Sequence, residues 1–218
     1  MDLKKIKSQF SVWRGQYGRW LPRDRSAKIL DLGCGYGGIV YWLQSLGYTN
    51  TEGVDINREY IDTGVGLGIK NLHHGDAVSF LRDKKEFYDV ILLVDVLGFL
   101  MREEVPEVLR SVVGALKPGG AIIVRSANVA SPMAGRIIHG YLKEDVHFSE
   151  HSLKEILRRS GIKTVGAYPV RPVVHGLASL FRYLLWLGIE AFLKFYRLVE
   201  AGTPRGIFTQ NMIGVGRK

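Results

Sequence analysis

The chain holds 218 residues, a formal net charge of +9 at pH 7 and a single cysteine, Cys34. That length supports one domain with a sizeable core, and a lone cysteine excludes any intrachain disulfide framework. The basic opening "MDLKKIKSQF" has no apolar stretch of signal-peptide length behind it. No export is expected, and the cytoplasm is the expected compartment. Charge is unevenly spread: residues 1–28 carry a net +6, residues 29–153 a net −5 and residues 154–218 a net +8. Basic flanks around an acidic middle suit nucleic acid, anionic lipid or an anionic substrate, or are simply the solvated faces of surface helices.

In chain order, "AKILDLG" reads as a short strand ending near Asp31, and "GIVYWLQSLG" as a helix stopped by Gly47. "TEGVDIN" is a second strand ending at Asp55, followed by a weaker helix over "REYIDTGVGLG". "NLHHGDA" gives a third strand and a turn, and "VSFLRD" starts another helix. "YDVILLVDVL" is apolar on both faces, as a central parallel strand should be. "EEVPEVLRSVVGAL" is a helix with Pro106 in its first turn. "KPGG" reads as a turn before a fifth strand, "AIIVRSAN". A helix capped by Ser149 and closed by Gly161 follows, and "KTVGAYPV" and "TQNMIGVGRK" are two further strands. Strands alternating with helices predict an α/β, doubly wound parallel sheet, preceded by a basic helical segment over 1–28.

Between the first strand and the first helix, "GCGYGG" places four glycines in six positions. Such a loop lets backbone approach a ligand at a helix N-terminus, at the carboxyl end of the sheet. Alone it is ambiguous. Gly33, Gly35 and Gly38 satisfy a dinucleotide fingerprint, Gly33, Gly35 and Gly37 a G-x-G-x-G pattern, and a plain tight turn is a third reading. Asp31 just before the loop would repel a pyrophosphate and welcome a cofactor carrying a sulfonium and an ammonium. Asp76, after the third strand, stands where it can accept from the exocyclic amine of an adenine.

Taken together, "LDLGCGYGG", "GVDIN", "HHGDA", "YDVILLVDVL" and "LKPGG" resemble the class I S-adenosylmethionine-dependent methyltransferases over about residues 10–170. The resemblance implies a Rossmann-like, seven-stranded sheet whose last strand runs antiparallel, spanning residues 29–218. It also implies S-adenosyl-L-methionine as cofactor. Asp31 and the backbone of Gly33, Cys34, Gly35 and Gly37 would hold its methionine part. Asp55 would hold the ribose hydroxyls, Ile56 would pack on the adenine, and Asp76 and Ala77 would bind the adenine edge. Asp95 to Leu97 would close the site. Cys34 reads as a small loop residue, with no base beside it in sequence to make it a nucleophile.

The stretch of about 126–150 after the fifth strand is long and gathers Arg136, His139, Tyr141, Glu144, Asp145 and His147. A hydroxyl acceptor needs a base. His139 or His147 could serve, oriented by Glu144 or Asp145, with Arg136 gripping an anionic group of the acceptor and Tyr141 lining its pocket. The bland alternative is a solvated loop. No metal cage is expected. This stretch, with "HGLASLFRYLLW" and the final strand, is similar to methyltransferases of bacterial surface-polysaccharide gene clusters. Those relatives often carry an acid-x-Thr-His-acid core and a Glu-His pair, where this chain has "YLKED" and "LGFL".

An insertion over about 172–203 separates the last two strands. At 100° per residue, Arg182, Glu190, Lys194, Arg197 and Glu200 of this insertion fall within about 120°. The other face is broad and carries Phe181, Leu184, Leu185, Trp186, Phe192, Leu193 and Phe195. Internal charges argue against a membrane span. The helix over 177–200 therefore packs on its own domain or on a second subunit as a homodimer, or rests peripherally on anionic lipid. The expected activity is methyl transfer to a sugar hydroxyl of a glycan, free or polyprenyl-linked, at the inner face of the membrane. A small metabolite, a lipid headgroup or RNA is the alternative acceptor. Nucleic acid is disfavoured because no RNA-binding module accompanies the basic flanks. A different class of reading is a non-catalytic cofactor-binding scaffold.

Overall fold

The computed structural model describes residues 1–138 and 146–218. Two short helices, α1 (Leu3–Ser8) and α2 (Phe10–Tyr17), lead into β1 (Ile29–Leu32). Then follow α3 (Gly38–Ser45), β2 (Thr51–Asp55), α4 (Arg58–Gly66), β3 (Leu72–His74), α5 (Ala77–Leu81) and β4 (Tyr88–Val94). The second half holds α6 (Val105–Ala115), β5 (Leu116–Ala127), α7 (Ala134–Ile138), α8 (Glu150–Arg159), β6 (Thr164–Pro169), α9 (Leu177–Ala201) and β7 (Asn211–Arg217).

The seven strands form one sheet in the order β3-β2-β1-β4-β5-β7-β6. β1 to β5 pair in parallel, whereas β7 runs antiparallel to both β5 and β6. Strand order reverses between β1 and β4, so the crevice for a ligand opens at their carboxyl ends. Period-2 alternation splits the strand residues between two apolar layers. Leu30, Leu32, Ile91, Leu93, Ile122 and Val124 pack with α6 and α8. Ile29, Val90, Leu92 and Ile123 pack with Trp42 and Leu43 of α3 and Tyr17 of α2. Trp42 and Tyr17 are fully enclosed, and burying one such side chain stabilises the fold by roughly 1.5–3 kcal/mol.

Local signals explain the element ends. Pro106 sits in the first turn of α6, where its missing N–H is an orphan anyway. Ser149 and Ser152 form a reciprocal capping box at α8, and Gly161, at φ 101°, closes that helix. The structure corrects the turn expected at "KPGG". β5 begins already at Leu116, paired with Tyr88, and resumes at Ala121, paired with Val90, so these residues form a bulge within one strand. Gly119, at φ 74°, takes the left-handed conformation there.

Candidate functional site: a cleft at the ends of β1, β2 and β4

The glycine loop folds tightly onto β2. Gly33 N–H and Cys34 N–H both donate to the Val54 carbonyl, at 2.8 and 3.0 Å. Gly35 N–H donates to Asp55 Oδ2 at 2.8 Å, and Gly37 N–H to the Cys34 carbonyl at 2.9 Å. These four donors are therefore spent inside the chain. The first turn of α3 is roofed as well: a Cβ on Gly38 would lie 2.9 Å from the Trp13 ring. The N–H groups of the first turn of α3, those of Gly38, Ile39 and Val40, make no backbone hydrogen bond among the described residues, as a helix N-terminus leaves them. The Gly33 carbonyl accepts no backbone bond among the described residues, so the loop offers acceptors beside the Asp31 carboxylate. A pyrophosphate needs donors, whereas an ammonium or sulfonium is met by acceptors and negative charge. The buried Asp31 carboxyl beside the loop thus favours a cationic ligand over a pyrophosphate.

Two glycines of the loop have a steric duty. A Cβ on Gly33, which sits at φ 77°, would come 2.4 Å from Val96 Cγ2. At Gly37, at φ 76°, it would strike Leu72 at 2.7 Å. Gly35, at φ 55°, faces open space instead, so its lack of a side chain keeps room in the cleft.

Asp31 is 2% exposed, and its Oδ1 has no hydrogen-bond partner. Burial, reinforced by the nearby Asp55 charge, pushes its carboxyl up to about 7. Such an orphaned carboxyl is poised for a cation, which would draw it back to the ionised form. Asp55 is oriented by two backbone donors, Gly35 N–H and Asn57 N–H, each at 2.8 Å. Beside it Ile56 is 73% exposed, a large apolar side chain left open at the cleft. Its carbonyl lies 3.1 Å from His74 Nε2.

Asp76 caps α5 by accepting from Ser79 N–H at 2.9 Å, and those hydrogen bonds hold its carboxyl below the usual range. A carboxylate accepts more bonds than this one. Ala77 is the first residue of α5. Asp95 ends β4 at φ 58°, a left-handed conformation that costs a non-glycine residue of order 1 kcal/mol and marks functional loops. It is held by its N–H to the Arg125 carbonyl at 3.0 Å and by an ion pair from Arg125 Nη1 to its Oδ2 at 3.1 Å. Burial raises its carboxyl above the usual range while Arg125 opposes that rise. Leu97 is buried in the core.

Two functional candidates were not legible beforehand: Tyr17 and Arg125. Tyr17 is fully buried and its hydroxyl has no hydrogen-bond partner. Burial pushes it well above its ordinary value, with the charges of Arg125, Asp95 and Asp31 all acting on it. Arg125 Nε is likewise buried without a partner. Orphaned polar atoms of Asp31, Tyr17 and Arg125 thus gather beneath one cleft, where a zwitterionic ligand end would satisfy them. One signal for Arg125 was present: a lone cation in the apolar strand "AIIVRSA".

Cys34 is buried, with Sγ 3.7 Å from the Gly35 carbonyl. Burial and the Asp31 and Asp55 charges push its thiol up, which leaves it unreactive. Arg136 is exposed on α7. His147 lies between buried Val146 and Phe148, with its Nδ1 buried and unpartnered. A parallel bridge from Phe148 to Asn128 ties this segment to the end of β5. His139, Tyr141, Glu144 and Asp145 lie outside the described residues.

The strand order, the antiparallel last strand and the helix inserted before it define a class I methyltransferase fold. A sequence profile of a family described as "Methyltransferase domain" matches residues 8–166, and the chain belongs to that family. It is similar to O-methyltransferase 3 of Dictyostelium discoideum, at 26% identity over 216 residues, covering 86% of this chain and 48% of that protein. The chain thus spans about half the length of this curated relative. Among solved structures, an S-adenosylmethionine-dependent methyltransferase of Archaeoglobus fulgidus aligns with a TM-score of 0.71 and 20% identity, over 99% of this chain and 97% of its own. One from Mesorhizobium loti aligns with a TM-score of 0.63 and 17% identity, over 95% and 98%. The chain is thus a methyltransferase domain, with S-adenosylmethionine as its methyl donor. Its cleft fits that donor, because the orphaned Asp31 carboxyl and the free Gly33 carbonyl suit the cationic methionine end.

Proposed function

We propose that this methyltransferase acts on a sugar hydroxyl of a cell-surface glycan or of its polyprenyl-linked precursor, at the cytoplasmic face. Bound in the cleft, S-adenosylmethionine supplies a methyl group already activated on sulfur. The chain's residues do the rest. Asp31 and the Gly33 carbonyl hold the cationic methionine end, and Tyr17 and Arg125 satisfy its carboxylate. Asp55 holds the ribose hydroxyls and Ile56 covers the adenine. Asp76 and Ala77 meet the adenine edge, and Asp95 to Leu97 close the far side.

His147 carries the reading of a hydroxyl acceptor. A hydroxyl attacks only as its proton leaves, and a histidine with an unpartnered, buried Nδ1 stands beside the end of β5. It takes the hydroxyl proton while the oxygen gains the methyl group. Arg136, exposed on the same stretch, suits a phosphate of a lipid-linked precursor. Two further supports are the O-methyltransferase name of the curated relative and the likeness of residues 131–162 to polysaccharide-cluster methyltransferases.

Incubation with labelled S-adenosylmethionine and fractionated cell glycans, lipids, RNA and small metabolites tests the proposal. Label is expected in the glycan or glycolipid fraction. His147→Ala should lower its rate about 100-fold or more without weakening donor binding. Label confined to RNA or to small metabolites would contradict the sugar reading.

A further inference from the structure

The most unusual surface of the molecule is α9. Its 25 residues make a rod about 37 Å long. The helix is turned opposite to an ordinary surface helix. Glu190 and Ser179 are its buried residues. Glu190 receives both Arg171 Nε and Nη2, at 2.9 and 2.7 Å, and the Lys194 ammonium at 2.9 Å. These bonds, led by Arg171, push its carboxyl down to about 2. Trp186 and Arg197, on the same side, are half-buried. Trp186 and Leu193 therefore belong to this inner face rather than to the apolar one.

The outer face is apolar. Twelve large apolar residues of α9 are exposed, among them Leu177 at 87%, Phe192 at 65% and Phe181 and Phe195 at 63% each. At 100° per residue these twelve fill an arc of roughly 200°, the complement of the arc of about 120° that holds every charge of the helix. The expected packing of this face against its own domain does not occur.

We infer that α9 seats the enzyme on an anionic lipid surface, its apolar arc sunk into the boundary between headgroups and acyl chains. Two observations choose lipid over a second copy of the chain. First, a helix pair buries only a narrow seam, whereas an arc of roughly 200° needs a medium that wraps the rod. Second, the surroundings are cationic. Arg182 is exposed at the rim of the arc, about five turns from Glu200 on the same line, and Arg19 of the turn after α2 lines the same groove as Tyr183 of α9. Residues 154–218 as a whole carry a net +8, which complements anionic headgroups. No helix among the described residues is long and apolar enough to cross a membrane, so the seat proposed for α9 is on the surface rather than across it. The groove between α2 and α9 also holds Gln16, the neighbour of Tyr17 beneath the cleft. A lipid-anchored acceptor would thus reach the site without leaving the surface.

Flotation of the full chain with glycan-free vesicles tests this independently of any methyl transfer. Binding is expected to phosphatidylcholine vesicles containing about 30 mol% phosphatidylglycerol, and to fall in high salt. The exposed double variant Phe181→Glu/Phe195→Glu should lose at least about tenfold in partitioning while keeping its melting temperature. Arg182→Gln should lose about fivefold, the share of one cation near the surface. Failure of the unaltered chain to float, or equal flotation of the double variant, overturns the inference. So does a dimer in light scattering that the double variant dissolves while vesicles bind neither form.

Discussion

At the residue scale, the glycine loop separates steric duty from ligand access. Gly33→Ala would drive a Cβ to 2.4 Å from Val96 in a left-handed conformation. Its cost should be about 2–4 kcal/mol, visible as a lower melting temperature. Gly35→Ala meets open space and should cost only about 1 kcal/mol of stability while weakening the donor more strongly. Calorimetry of both variants checks the contrast. The aspartates at the strand ends were legible because an acid closing an apolar strand is a conspicuous break in pattern. The direction of the loop's N–H groups was not, since one motif serves donors and acceptors alike. Tyr17 and Arg125 escaped because they converge from over 100 residues apart.

Asp31 also makes the site sensitive to pH. Its folded value is raised from 3.8 to about 7, so the ligand-free fold binds the proton more tightly than the unfolded chain. The resulting stabilisation is complete below about pH 4 and fades as the pH rises through about 7. A cationic donor needs the carboxylate, so its affinity should climb between about pH 5 and 7. Asp31→Asn should flatten both trends and weaken the donor at least about tenfold at pH 7. Chemical denaturation and titration across this range measure them, and an unchanged pH slope in the variant would contradict the assignment.

At the scale of elements, Asn128 fixes the stretch that carries His147. It is fully buried, and its Nδ2 donates to the carbonyls of Ile207 and Thr209 at 2.8 and 2.9 Å. Asn128→Ala strands both acceptors, at a cost of about 2–3 kcal/mol. In a chain of this size the melting temperature should fall by roughly 4–12 °C, and methyl transfer should fall with it. An unchanged melting temperature would show that the anchor is dispensable. All seven strands could be read as short runs bounded by turn residues, because each pattern is local. The bulge at "KPGG" could not, since whether such residues end a strand or interrupt it depends on the partner's register. Periodicity likewise exposed the two arcs of α9 but not which one faces the domain, a choice made by Arg171 and Glu190 across 19 residues.

At the scale of the whole molecule, one sheet does two jobs. Its parallel half places Asp31, Asp55 and Asp95 at the strand ends, where the proposed cationic nucleoside would be held, while its antiparallel half carries the inserted α9. The donor half was legible from five motifs in order; the acceptor half rests on few residues and left its sugar reading to experiment. The central claim is that the cleft was built for a cation rather than for a pyrophosphate. Isothermal titration of the purified chain with S-adenosylmethionine and, separately, with a nicotinamide dinucleotide tests it most directly. Binding of the sulfonium compound is expected in the micromolar range, about −8 kcal/mol, with no heat from the dinucleotide. Capture of the dinucleotide with indifference to the sulfonium would contradict it.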